Sequence, residues 1–67
     1  MTDAAFYRQE CGRIYRLIEE LVATHRVQLA IVIPSPAVLS ATYQALRMAA
    51  DELDALTERY LAALEVP

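Results

Sequence analysis

The chain has 67 residues, 57% of them hydrophobic, a net charge of −3 and one cysteine. That apolar content excludes a disordered chain, which is apolar-poor and charge-rich. One cysteine excludes an intrachain disulfide scaffold and a cysteine-rich zinc module, one glycine excludes a collagen-like chain, and a pI near 4.9 disfavours nucleic acid as a partner.

The N-terminus lacks a basic leader followed by an apolar core, so it does not read as a signal peptide, and a cytoplasmic setting is the expectation. The first periodic segment runs over about 3–25. On a wheel of 100° per residue, Tyr7, Cys11, Ile14, Ile18, Leu21, Val22 and His25 share one side. Arg8, Gln9, Arg13, Arg16, Glu19 and Glu20 take the other. This is the pattern of an amphipathic helix with one buried stripe. Asp3 or Thr2 suits its N-cap. Gly12 lies on the polar side and costs about 1 kcal/mol against alanine.

The wheel pattern breaks after Arg26. Leu29 to Ile33 is apolar on every side, and Ile33 precedes a proline, which disfavours helical geometry there. Gln28 to Ile33 reads as an extended, buried stretch within a connection at 26–35. A helix running on to about Val32 is the alternative, so 27–33 stays open between strand and helix. An extended stretch of this composition would be covered, or would pair with its copy about a two-fold axis. Positions 27–46 carry no charge and match a membrane span in length. Pro34, Pro36 and five polar residues interrupt the run, so membrane spanning is disfavoured.

Ser35 and Pro36 suit the N-cap and first position of a second helix over about 36–64. Leu39, Leu46, Leu53 and Tyr60 repeat every seven, and Thr42, Ala49, Leu56 and Ala63 fill the companion positions. Such a repeat is a seam for helices packed at a shallow angle. Tyr43, Ala50 and Leu64 widen the main stripe, and Ala41, Ala45 and Met48 begin a second one. Glu52 and Arg59 interrupt that second strip one heptad apart, a spacing that fits antiparallel pairing with a copy.

The fold class expected is all-α: a two-helix hairpin with a short extended apolar connection, one domain over 1–67, self-associating into a four-helix bundle. A chain this short without disulfide or metal often needs a second copy to complete its core. The expected interface is Leu39, Tyr43, Leu46, Ala49, Leu53, Leu56, Tyr60 and Ile31. No catalytic, metal or cofactor motif occurs in the sequence. A non-enzymatic adaptor, chaperone or structural component is the leading expectation, binding itself and another protein. A regulatory inhibitor or antitoxin-like module and a small bundle enzyme are the alternatives. Cys11 and His25 share one helical face about 21 Å apart. They would meet only across chains, in an antiparallel pair of first helices centred on Ile18, forming a thiol–imidazole site.

Overall fold

A computed structural model describes residues 3–65 as two α-helices, α1 (Asp3–Ala30) and α2 (Pro36–Glu65), joined by residues 31–35. They pack against each other as an antiparallel hairpin, so the fold is all-α. The Cα atoms span 55 × 14 × 12 Å. The 30 residues of α2, rising about 1.5 Å each, account for about 45 Å of that length.

The cap read from the sequence forms. The Val38 amide donates to Ser35 Oγ at 3.4 Å, and the Leu39 amide donates to the Ser35 carbonyl at 3.0 Å. Pro36 takes the first helical position, where no amide proton is needed. Asp3 opens α1; Thr2, the other cap candidate, lies outside the described residues.

Burial follows a heptad on both helices. On α1 the covered positions are Ala4, Cys11, Ile18 and His25, with Tyr7, Ile14, Leu21 and Gln28, and Glu10 is half-buried beside them. On α2 they are Leu39, Leu46, Leu53 and Tyr60, with Thr42, Ala49, Leu56 and Ala63, and Ala45 is half-buried beside them. A repeat of 3.5 residues keeps one seam facing the partner helix along the whole rod. The seam is thin: Cys11, Ile14, Ala49 and Leu56 are its buried members, and Ile14 alone is 0% exposed.

The connection departs from the extended stretch expected and follows, as far as Ala30, the alternative of a continuing helix. α1 does not stop at His25 but continues to Ala30, and no strand occurs among the described residues. Gln28 explains the extension, because it lies one heptad beyond Leu21 and keeps the seam covered. Nor does the chain itself bury Gln28–Ile33, as the extended reading expected. Gln28 is half-buried, but Val27, Leu29 and Ile31 are exposed, Val32 is 95% exposed and Ile33 88%. Pro34 ends helical geometry before the chain has room to fold these side chains back onto the seam.

Candidate interaction surface

The seam divides the rod into two flanks. Their sides are fixed by the ion pairs. Arg13 Nε donates to Glu10 Oε2 at 2.6 Å, and Arg13 Nη2 lies 3.5 Å from Glu52 Oε1 across the hairpin. Glu10 therefore shares a side with Glu52. The hydrogen bond and then the charge of Glu10 raise the Arg13 pKa above the ordinary arginine value, with Glu52 adding to the effect and desolvation opposing it.

The opposite flank carries Tyr15 (57% exposed) and Tyr43 (52% exposed), with Val22, Leu29 and Leu64 along its length. The Arg47 guanidinium lies 6.0 Å from the Tyr43 ring centroid, within reach of a cation–π contact. A shallow groove lined by Tyr43, Gln44, Arg47, Met48 and Asp51 opens on α2 alone. Another, lined by Ala5, Arg8, Gln9, Gly12 and Arg16, opens on α1 alone. Neither groove runs between the helices.

The expected interface residues divide between seam and surface. Leu39, Leu46, Ala49, Leu53, Leu56 and Tyr60 face α1 of the same chain. Tyr43 stands on the tyrosine flank and Ile31 at the tip, both exposed. Glu52 finds Arg13 within the chain, whereas Arg59 is exposed. The spacing of Glu10, Arg13 and Glu52 against that of Tyr15 and Tyr43 contains the distinction between the two flanks, which a single apolar stripe per helix does not separate.

The structure does not bring Cys11 and His25 together within the chain. Both sit on the α1 seam and both are turned to α2. Cys11 clusters with Ile14 and Leu56, a buried free thiol among apolar groups. Nδ1 of His25 lies 2.7 Å from Thr42 Oγ1, and that hydroxyl donates to the Leu39 carbonyl at 3.0 Å. A hydroxyl has one proton, so with it committed to Leu39 the imidazole Nδ1–H is the donor. Pairing α1 with another α1 through this same stripe requires the hairpin to open.

Among the described residues no three His, Cys, Asp or Glu side chains gather as a metal site, and no helix is long and apolar enough to cross a membrane. Comparison of the chain with protein-family models, with curated proteins and with solved structures returned no match.

Proposed function

We propose that the chain is a non-enzymatic assembly protein, a helical hairpin that associates with its own copies into a four-helix bundle and serves as an adaptor, chaperone or structural component. The observation that carries this reading is unburied surface. The chain exposes 5258 Å². A compact monomer of 7.5 kDa exposes about 4,250 Å² by the usual mass scaling. The excess, about 1,000 Å², is of the size each partner gives up in a standard interface. Much of the exposed surface is aliphatic or aromatic, running from Phe6 and Leu64 at the base to Val32 at the tip.

Light scattering after size exclusion tests the proposal. A dimer or tetramer is expected at micromolar concentration, with a melting temperature that rises on concentration, because association stabilises the folded form. A folded monomer at every concentration overturns it.

A further inference from the structure

We infer that a second copy of this chain docks antiparallel on the flank of Tyr15 and Tyr43, so that the tip of each hairpin lies over the base of the other. The inference rests on the assembly reading above and deepens it by naming a face and an orientation.

Both flanks expose apolar side chains, Leu17 and Val38 on one and Tyr15, Val22, Leu29, Tyr43 and Leu64 on the other, so the face follows from their unequal charge. Positions 8, 15, 22 and 29 of α1 and 43, 50, 57 and 64 of α2 border the seam on one side, and Arg8 is their one charged member. Positions 3, 10, 17 and 24, with 38, 45, 52 and 59, border it on the other. Four of those are charged: Asp3, Glu10, Glu52 and Arg59. Glu10 and Glu52 converge there on Arg13. Covering that second flank takes an ion network out of water, which opposes association. Covering the first buries two tyrosine rings, whose hydroxyls can stay at the edge.

The orientation follows from charge along the rod. No acidic residue occurs between Glu20 and Asp51, a stretch that includes the tip and contains Arg26 and Arg47. The tip segment thus carries +2 and the remainder −5, which together give the net −3 of the chain. Parallel packing sets two bases of −5 side by side. Antiparallel packing sets each tip against an opposite charge, and complementary potentials fix register in this way. Apolar surface matches too, since Leu61 and Leu64 are exposed at the base, the end over which Leu29 of the copy would arrive.

The midpoint of the rod identifies the centre of the contact. His25 meets Thr42, and Cys11 and Ile14 cluster with Leu56 and Leu53, so paired positions sum to about 67. The midpoint falls beside Tyr15 on α1 and Ala50 on α2. A two-fold axis crossing there brings Ala50 close to its own copy and puts the Tyr15 anchor at the centre, where binding energy concentrates.

The test uses the full chain with Cys11→Ala as background, adding either Ala50→Cys or Val32→Cys. Each protein is sized by light scattering under reducing conditions, then exposed to a mild oxidant and run on a non-reducing gel. The expected result is a dimer in solution, a covalent dimer from Ala50→Cys and none from Val32→Cys. Self-cross-linking through Val32→Cys, alone or beside Ala50→Cys, overturns the antiparallel orientation. A dimer in which neither variant cross-links overturns the inference and leaves the assembly reading standing. A monomer under reducing conditions overturns both. The flank is tested separately in the unmodified chain. Tyr15→Glu should weaken dimerisation about 30-fold or more, as loss of a central anchor does, while Leu17→Glu on the other flank should change it far less. Circular dichroism checks that both variants keep their helices. Equal weakening by the two overturns the assignment of the face.

Discussion

Thr42 is the one polar residue among the α2 seam positions other than the Tyr60 hydroxyl, and its partner explains why it is tolerated there. Its Oγ1 is 3.0 Å from the Leu39 carbonyl and 2.7 Å from His25 Nδ1. Thr42 Oγ1 and His25 Nδ1 thereby satisfy each other, and among the described residues no buried side-chain nitrogen or oxygen lacks a partner. Thr42→Val keeps the shape of the side chain and strands the imidazole N–H at a half-buried site. The expected loss is about 1 kcal/mol, at the lower end for an unsatisfied donor because the site is partly wet. In a domain of this size that shifts the melting temperature by about 4–8 °C. Adding His25→Leu removes the stranded donor and should restore part of the loss. A double variant no more stable than Thr42→Val would show that the bond contributes nothing. Cys11 stands in contrast. It packs beside Ile14 and Leu56 as a small apolar residue, the ordinary place for an unreactive thiol.

At the scale of the helix, the period decides what is inside. A straight α-helix has 3.6 residues per turn, so a wheel drawn at 100° drifts about 20° per heptad against a 3.5 repeat. That drift moved Val22 on α1, and Tyr43 and Leu64 on α2, into the expected stripe, whereas all three are exposed on the flank. The heptad of Leu39, Leu46, Leu53 and Tyr60 with Thr42, Ala49, Leu56 and Ala63 names the covered positions of α2 without that error. Leu46→Ala should cost about 2 kcal/mol or more, near the lower end for a core leucine because Leu46 is half-buried. In a dilute monomer, Tyr43→Ala should cost much less. Comparable losses in thermal melts of the two would mean that the seam is misplaced. The hairpin, its cap at Ser35 and the second helix were legible because hydrophobic spacing and the Pro-Ser-Pro sequence act locally. The end of α1 was not. β-branched residues and a following proline argued for extended chain over 28–33, but the seam position of Gln28 prolongs the helix, and tertiary pairing overrides local preference. The exposed tip was hidden for a different reason. A run of aliphatic residues normally signals burial, and nothing in its composition shows that the rod ends there.

As a whole the molecule is a rod with a core one seam deep. Its radius of gyration is 15.5 Å, against about 11 Å for a compact chain of this length. The five-residue connection keeps the seam within one chain, and the heptad frame has a consequence for that arrangement. Counting in sevens from Ala4 through Cys11, Ile18 and His25 reaches Val32 and then Leu39, Leu46, Leu53 and Tyr60 without a skip. The companion series passes from Gln28 through Ser35 to Thr42 in the same phase. One uninterrupted helix over 3–65 would therefore keep all its seam residues on one face. Two such helices laid antiparallel would reproduce every pairing of the hairpin, with each half supplied by a different chain. Pro34 and Pro36 are what stand between the two forms, since proline is costly in a helix interior, about 3 kcal/mol or more each. Pro34→Ala with Pro36→Ala should release the hinge and yield a domain-swapped dimer, a known outcome of hinge-loop changes. Small-angle scattering would then report a particle about 95 Å long, the span of 63 helical residues, in place of the shorter assembly of hairpins. An unchanged maximum dimension would mean that the turn persists without its prolines.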